Sequence, residues 1–225
     1  MRLVLASNNA KKLSELGSLL SDLQVQLVAQ AELGIGEADE PHITFVENAL
    51  AKARHAAAAA QGPAIADDSG LCVDALAGQP GVISAHYAGE LPAQPGDAGD
   101  AGEAGEAGEA GEAREARRQR QDAANNGKLL RALAPHTDRS AYFLSTLVAV
   151  RHAQDPQPLV AVGRWPGRIL QAPQGEHGFG YDPLMFIPDL GCSVAEMDAQ
   201  LKNQHSHRAR AMAQMRALLR EVWKL

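Results

Sequence analysis

Strand-like and helix-like segments alternate over the first part of the chain, and two strand-like segments follow each other later. Residues 3–6 are a short apolar run, residues 7–9 are polar, and leucines then recur at helical spacing from Leu13 to Leu20. Residues 44–60 predict an alanine-rich helix that Thr44 and Glu47 cap. Residues 142–151 and 159–165 are apolar and β-branched, which predicts paired strands with no helix between them. This order predicts a mixed α/β fold.

Three further segments complete the outline. Alternating apolar residues over 24–30 predict a half-exposed strand, and residues 64–66 predict a short buried one. The last helix is predicted over residues 205–223, where four residues at helical spacing indicate core packing rather than a functional surface. They are Met212, Met215, Leu219 and Val222.

The net charge of −6 is concentrated in one stretch of the chain. Residues 92–115 hold seven acids against one base, Arg114, and the rest of the chain is balanced. No global basic field is left to attract nucleic acid, and aromatics, at 4%, are too few for base-stacking platforms. The apolar runs are too short for a signal peptide or a membrane span, so we expect a cytoplasmic protein that binds neither nucleic acid nor membrane.

Residues 98–112 are a low-complexity repeat of Gly, Glu and Ala. A glycine at every third position disfavours a helix by about 1 kcal/mol each relative to alanine. The repeat is short and lacks the prolines of collagen. We therefore predict a single domain over residues 1–225 with a disordered insertion at about residues 92–116, after which Arg114 to Leu133 are helical.

The two cysteines argue against one class of site. Cys72 and Cys192 are far apart and form no C-x-x-C pair. The sequence therefore offers little support for a zinc or redox centre.

An acidic pair follows the predicted strand over residues 64–66. Asp67 and Asp68 precede Ser69 and Gly70, which is also good turn chemistry. Ligands of open α/β sheets commonly gather where strands end, and carboxylates suit Mg²⁺. A second carboxylate can hold the ion or accept a proton from an attacking water. The pair alone leaves a plain turn and a metal site equally open.

The polar segment before the first helix has the composition of a phosphate site. It combines a hydroxyl, amides and two lysines with the free N–H groups of a helix start, in Ser7, Asn8, Asn9, Ala10, Lys11 and Lys12. No Walker A loop occurs in the chain. An ordinary helix cap with surface lysines remains the alternative.

Two later clusters complete the candidate residues. Residues 178–183 place Phe179 between glycines, ahead of Asp182, so that the ring can stack on a base or simply pack a tight turn. Lys202, His207 and Arg208 form a polar, basic cluster near the last helix, and Lys and Arg together bind phosphate. A lone histidine is more often structural.

Taken together and in this order, the motifs resemble the Ham1/inosine triphosphate pyrophosphatase family, the XTP/dITP diphosphatases. The matching segments run almost end to end and leave out only the insertion and its flanks. They are residues 7–12, 44–49, 66–71, 78–81, 179–183 and 206–208.

The resemblance implies a fold and a reaction. The fold is a mixed sheet with flanking helices, in two lobes around a central substrate cleft, as in the similar Maf-like proteins. The reaction is Mg²⁺-dependent hydrolysis of non-standard purine nucleoside triphosphates (ITP, dITP and XTP) to the monophosphate and pyrophosphate. It cleanses the nucleotide pool, and the enzyme is expected to be a homodimer.

The resemblance also implies roles for individual residues. Asp68 is the expected proton acceptor and a magnesium ligand, with Glu40 and Asp67 as the other acidic metal residues. Lys202, His207 and Arg208 complete the pocket and favour a 6-keto purine. The remaining substrate-binding residues are Ser7, Asn8, Asn9, Ala10, Lys11, Lys12, Ser69, Phe179, Gly180, Tyr181 and Asp182.

The chain departs from the family pattern at three places. Pro41 and His42 follow Glu40 where the family usually has Thr and Gly, and Ala209 replaces a usual Gly. His86 stands where the family commonly has Arg, a basic contact that a protonated His replaces only in part. The motifs also leave three other functions open: a pyrophosphatase for pyrimidine or modified nucleotides, a non-catalytic nucleotide sensor, and an interaction protein acting through the acidic insertion.

Overall fold

The alternation of strands and helices is present in the structure, a computed structural model that describes residues 1–20, 23–92 and 107–225. Of residues 10, 11 and 107–114 it describes the backbone alone. The strands are β1 (Arg2–Leu5), β2 (Gln26–Ala29), β3 (Ala64–Val73), β4 (Ser140–Val150), β5 (Leu159–Ile169), β6 (Met185–Ile187) and β7 (Cys192–Ser193). The helices are α1 (Ala10–Leu19), α2 (Phe45–Ala60), α3 (Ala107–Leu133), α4 (Ala199–His205) and α5 (His207–Val222).

The strands form one sheet in the order β2-β1-β3-β4-β5-β6-β7. Strand β1 is parallel to β2 and β3, whereas β6 is antiparallel to β5 and β7. A sheet with both kinds of pairing and flanking helices confirms the predicted mixed α/β class.

The chain divides into two compact units. The first comprises Met1–Gly70, Tyr142–Trp165 and Ala199–Leu225, and the second comprises Leu71–Ala141 and Pro166–Asp198.

The first unit buries apolar residues on both faces of its strands, because side chains alternate along a strand. One cluster joins Leu3 and Leu5 of β1 to leucines of α1 and to Met212 and Met215 of α5. The other joins Val4 and neighbouring strand residues to the alanines of α2. Each large buried side chain stabilises the fold by about 1.5–3 kcal/mol. The apolar stripe of the last helix is therefore core, as predicted.

The predicted cap of α2 is confirmed, and a further capping box is present near the end of the chain. The Thr44 hydroxyl accepts a hydrogen bond from Glu47 N–H at the start of α2. The pattern at Ser193 and Glu196 forms a reciprocal capping box. Helix α2 ends at Gln61, whose left-handed backbone precedes Gly62.

In the second unit, α3 buries Leu129 and Leu133. Its polar residues hold two loops, at residues 84–89 and at Gly180. The loop geometry of this unit therefore depends on α3.

Two predicted boundaries are wrong. Strand β3 does not end at residue 66 but continues to Val73, so that Asp67 and Asp68 lie inside a strand and not in a turn. Helix α3 begins at Ala107, so residues 107–116 of the predicted disordered insertion are helical. Extending an existing helix by Ala and Glu costs far less than nucleating one, which offsets the glycines. Residues 93–106 of that prediction lie outside the described residues.

Cys72 and Cys192 are both free thiols. Among the described residues, no helix is both long and apolar enough to cross a membrane.

Candidate active site

Asp67 and Asp68 are neighbours in β3 and both are buried. Because successive side chains of a strand point to opposite faces, each carboxylate meets a different set of partners. All of these partners belong to the first unit.

Asp67 is surrounded by hydrogen-bond donors. Its Oδ1 accepts from the Ser145 hydroxyl at 2.6 Å. Its Oδ2 accepts from Lys12 Nζ at 3.0 Å, Arg208 Nε at 3.1 Å and the Ser69 hydroxyl at 3.1 Å. Burial opposes ionisation, but Lys12, Arg208 and Ser145 prevail and hold the pKa of Asp67 well below its usual value. Asp67 is therefore an ionised anchor for two cations.

Asp68 has one engaged oxygen and one without a partner. Its Oδ1 accepts from Lys52 Nζ at 2.8 Å, whereas its Oδ2 is buried without a hydrogen bond. Burial raises the pKa of Asp68 to about 6, with a further contribution from Glu40, although Lys52 opposes the shift. A carboxylate is suited to accept a proton when its pKa is near neutral and one of its oxygens accepts no hydrogen bond.

Lys52 bridges Asp68 and Glu40. Its Nζ lies 3.1 Å from Glu40 Oε2, and the Glu40 side chain is 45% exposed. Burial lowers the pKa of Lys52, but the two carboxylates prevail and raise it above its usual value. The pair Asp68 and Glu40 thus shares one permanent cation.

The segment before α1 is built as a helix cap. Asn9 Oδ1 accepts from Lys12 N–H at 3.3 Å, and the Ser7 hydroxyl accepts from Asn9 N–H at 3.2 Å. Burial and the nearby Arg208 lower the pKa of Lys12, although Asp67 opposes this. The side chains of Ala10 and Lys11 lie outside the described part of the chain.

Arg208 links the acidic strand to two other helices. Its Nη2 donates to the Ser69 hydroxyl at 2.8 Å and its Nη1 to Glu15 Oε2 at 2.9 Å. Glu15 in turn lies 3.3 Å from Lys202 Nζ. The Ser206 hydroxyl caps α5 by accepting from Ala209 N–H, which orients the start of this helix.

His207 is buried and stacks on Phe143, with ring centroids 5.0 Å apart. Burial and the neighbouring Arg208 hold the pKa of His207 well below its usual value, so the ring is neutral near pH 7. Its Nδ1 is buried without a hydrogen bond.

The predicted base-contact loop lies in the second unit. Asp182 Oδ2 accepts from Phe179 N–H at 3.0 Å, and the Tyr181 hydroxyl donates to Ser84 C=O at 2.9 Å. Tyr181 and Asp182 are buried and Phe179 is half-buried. Tyr181 and Asp182 therefore anchor the loop, and the ring of Phe179 remains partly accessible.

Known proteins resemble this chain over its whole length. The model of the Ham1 family matches residues 3–104 and 107–218. The chain belongs to the Ham1 family. The dITP/XTP pyrophosphatases of Leptothrix cholodnii and Methylibium petroleiphilum are 61% and 62% identical to it, over 100% and 99% of both chains.

Solved Ham1 structures show the same fold. The Ham1 protein of Coxiella burnetii superposes with a TM-score of 0.82 at 38% identity, over 99% of this chain and 100% of that one. The Staphylococcus aureus Ham1 protein gives 0.76 at 33% identity, over 97% and 98%. The predicted membership in this family is thereby confirmed.

In this Ham1-family chain, the structure sorts the candidate residues into two groups. One group lies in the first unit, where contacts join Lys12, Glu40, Asp67, Asp68, Ser69, Lys202 and Arg208 into ion pairs and hydrogen bonds. Ser7 and Asn9 cap α1 beside it, Asn8 is exposed, and His207 stacks on Phe143. Phe179, Gly180, Tyr181 and Asp182 lie in the second unit, as does the exposed His86.

Three residues of the network were absent from the prediction. Lys52 had a signal, because it lies four residues after Asn48 on the buried face of the alanine-rich helix α2. Ser145 and the adjacent Thr146 are hydroxyl residues in a largely apolar strand, which is a weaker signal. Glu15 had no signal in the sequence, because acidic residues are common on the exposed face of a helix such as α1.

Glu40, Asp67 and Asp68, the carboxylates predicted to bind the metal, do not form a single group of ligands in the structure. Within residues 1–20, 23–92 and 107–225, no three or more His, Cys, Asp or Glu side chains form a metal-binding group. Both oxygens of Asp67 already accept hydrogen bonds, whereas Asp68 Oδ2 accepts none. Asp68 and Glu40, which share Lys52, are therefore the pair that fits a cation. The metal roles stay predictions.

Proposed function

We propose that the chain hydrolyses the non-standard purine nucleoside triphosphates dITP, ITP and XTP to the monophosphate and pyrophosphate. The observation that carries the proposal is Asp68, with a pKa raised to about 6 and a buried oxygen without a partner, in contact with Lys52 and within reach of the charge of Lys12. The names of the relatives support the substrate class, since proteins about 60% identical are called dITP/XTP pyrophosphatases.

Asp68 is the proposed proton acceptor. It takes a proton from the water that attacks the α-phosphorus, and pyrophosphate leaves. Lys12, which Asp67 holds in place and whose charge also acts on Asp68, stabilises the charge that develops on the phosphates.

The charges of the site support a need for Mg²⁺. The described network pairs cations and carboxylates evenly, and His207 is neutral, so little net positive charge is left for a triphosphate. The members are Lys12, Lys52, Lys202, Arg208, Glu15, Glu40, Asp67 and Asp68. Asp68 and Glu40 fit Mg²⁺, which takes one or two carboxylates and keeps waters and substrate phosphates as its other ligands. When bound, the ion supplies the missing positive charge at the phosphates.

The proposed selectivity is for a 6-keto purine. Adenine has an amino donor where hypoxanthine has a keto acceptor, so protein donors placed for the keto oxygen lose their partner with adenine. The neutral His207 and the neighbouring Lys202 and Arg208 are the candidate donors. Removal of deaminated purines from the nucleotide pool would be the cellular role.

One assay tests the reaction and its selectivity. Product release is followed with dITP, ITP, XTP, dATP, dGTP and dTTP, with Mg²⁺ and with excess chelator. We expect pyrophosphate as the first product, preference for dITP, ITP and XTP, and loss of turnover with chelator. Comparable rates on all six substrates, orthophosphate as first product, or a preference for dTTP would contradict the proposal.

Isotope labelling tests the bond that breaks. In water enriched in ¹⁸O, attack at the α-phosphorus places the label in the monophosphate. Label in pyrophosphate would mean attack at the β-phosphorus and would overturn the proposed step.

We also propose a homodimer in the cytoplasm, as in the family that the sequence resembles. Light scattering of the purified chain measures its mass in solution. A mass of 23.8 kDa at micromolar concentration would contradict the dimer.

A further inference from the structure

Two side chains of helix α3 bind the backbone N–H and C=O groups of Gly180. Asp122 Oδ2 accepts from Gly180 N–H at 2.7 Å, and Asn126 Nδ2 donates to Gly180 C=O at 3.0 Å. Asp122 and Asn126 are four residues apart on α3 and therefore lie on one face of the helix. The two side chains act as a clamp on a single residue.

Gly180 is the point at which the loop changes direction. Its φ of +64° lies in the left-handed region, which residues with a side chain rarely adopt. The residues on either side are Phe179, which is half-buried, and Tyr181, which is buried. The orientation of the Phe179 ring therefore follows from how the Gly180 peptide groups are held.

A second connection from the same helix supports the loop. Asn125 Nδ2 donates to Ser84 C=O at 3.3 Å, and the same carbonyl accepts from the Tyr181 hydroxyl at 2.9 Å. Burial, together with Tyr87 and Asp122, raises the pKa of Tyr181, so its hydroxyl stays protonated and remains a donor. Helix α3 thus holds Gly180 directly and Tyr181 through the Ser84 carbonyl.

We propose that Asp122 and Asn126 are positioning residues that set the base selectivity of the enzyme by fixing the Phe179–Asp182 loop. The proposal rests on the proposed function and on the expectation from the family resemblance that this loop contacts the purine. Neither residue belongs to the motifs that resemble the Ham1 family. Their role is to hold the Phe179 ring in the position at which a base stacks.

The test compares variants that break or keep the clamp. Asp122→Ala removes the acceptor for Gly180 N–H, and Asn126→Ala removes the donor to Gly180 C=O. Asp122→Asn keeps an oxygen acceptor of the same shape. Gln119→Ala changes an exposed residue on the same helix, three positions before Asp122, and is the matched control.

Two measurements are made on the full chain. The first is the ratio of kcat/KM for dITP to kcat/KM for dATP. The second is hydrogen exchange of the peptide that contains Gly180, compared with exchange of the β1 strand. A general loss of stability raises the exchange rate of both peptides, whereas loss of the clamp raises only that of the peptide containing Gly180.

We expect Asp122→Ala and Asn126→Ala to lower the ratio by about tenfold to a hundredfold, since a displacement of 1 Å costs about that much. Exchange at Gly180 should rise roughly tenfold while β1 is unchanged. Asp122→Asn and Gln119→Ala should stay within about threefold of wild type in both measurements. The double alanine variant should be no worse than the worse single, because the clamp acts as a unit.

Three results would overturn the proposal. They are an unchanged ratio in both alanine variants, unchanged exchange at Gly180, and an equal effect of Gln119→Ala. If Asp122→Ala does not fold, Asn126→Ala still breaks the other half of the clamp. A wild-type enzyme that treats dITP and dATP alike would refute the proposed selectivity and this role with it. A wild-type enzyme that discriminates, with variants that discriminate equally well, would refute the role alone.

Discussion

The two sides of strand β3 treat adjacent carboxylates in opposite ways. On one side, Asp67 accepts hydrogen bonds at both oxygens from Lys12, Arg208 and two serine hydroxyls. On the other, Asp68 has Lys52 on one oxygen and no donor on the second. The pKa of Asp67 is lowered and that of Asp68 is raised to about 6.

This difference assigns two roles to the adjacent residues of one acidic motif: Asp67 orients cations, and Asp68 is the proposed proton acceptor. A carboxylate saturated with donors is held ionised and orients its cations, but it has little affinity left for a proton. A carboxylate with an open oxygen and a raised pKa is able to accept one. Burial alone does not decide the role, because both residues are buried.

We expect the largest effect on activity from Asp68→Asn, which tests the difference between the two aspartates most directly. We expect kcat to fall by about 10² to 10⁴, the contribution typical of a general base. Stability should change little, since burial already disfavours the charged form of Asp68 and Glu40 still pairs with Lys52. Single-turnover kinetics and thermal unfolding measure the two effects. A variant that keeps more than half of the wild-type kcat would show that Asp68 is not the proton acceptor.

The matched change at the neighbouring position should act on stability instead. Asp67→Asn removes the carboxylate that pairs with the buried Lys12 and leaves Arg208 paired with Glu15 alone, and we expect a loss of about 3–5 kcal/mol in the free energy of unfolding. Urea denaturation at pH 7 measures it.

The same variant gives a test in acid. The folded pKa of Asp67 is lowered, so its stabilisation is complete above the unfolded pKa of about 3.9 and is lost as pH falls through the folded value. The stability gap between wild type and Asp67→Asn should therefore narrow below about pH 4. A gap that is constant between pH 7 and pH 3 would argue against an ionised anchor.

The pH profile sharpens the contrast further. A base must be ionised, so kcat/KM should fall as pH drops through the pKa of Asp68, which is about 6 without Mg²⁺ and lower when the ion is bound. Lys52 favours the ionised form, and Lys52→Met should therefore move the midpoint to higher pH. Glu40→Gln removes a negative neighbour and should move it to lower pH. Shifts in the same direction for both variants would contradict this electrostatic account.

The smallest effect concerns Ser145. Its hydroxyl donates to Asp67 Oδ1, and Ser145→Ala removes one of several donors to a charged group. We expect a loss of about 1.5–3 kcal/mol in stability, measured by urea denaturation. Ser14→Ala, an exposed serine on α1, is the control and should stay within about 0.5 kcal/mol. Equal losses in the two variants would show that the bond to Asp67 contributes nothing specific.

Much of the fold was predictable because local signals agreed with the final structure. The spacing of leucines in α1, the capping residues of α2 and the apolar stripe of α5 all lie where the sequence indicates. The error at the end of β3 occurred where tertiary contacts override local preference. Residues 67–70 have turn chemistry, but ion pairs to Lys12, Lys52 and Arg208 allow two aspartates to lie inside a strand.

The candidate site divides along the same line. The sequence by itself determined the order of elements, the family motifs and the list of groups able to bind phosphate or accept a proton. Only the tertiary structure decided which aspartate is saturated and which has a free oxygen. The reason is that their partners come from distant segments, Arg208 from 141 residues away and Ser145 from 78, and that neighbours on a strand face opposite sides.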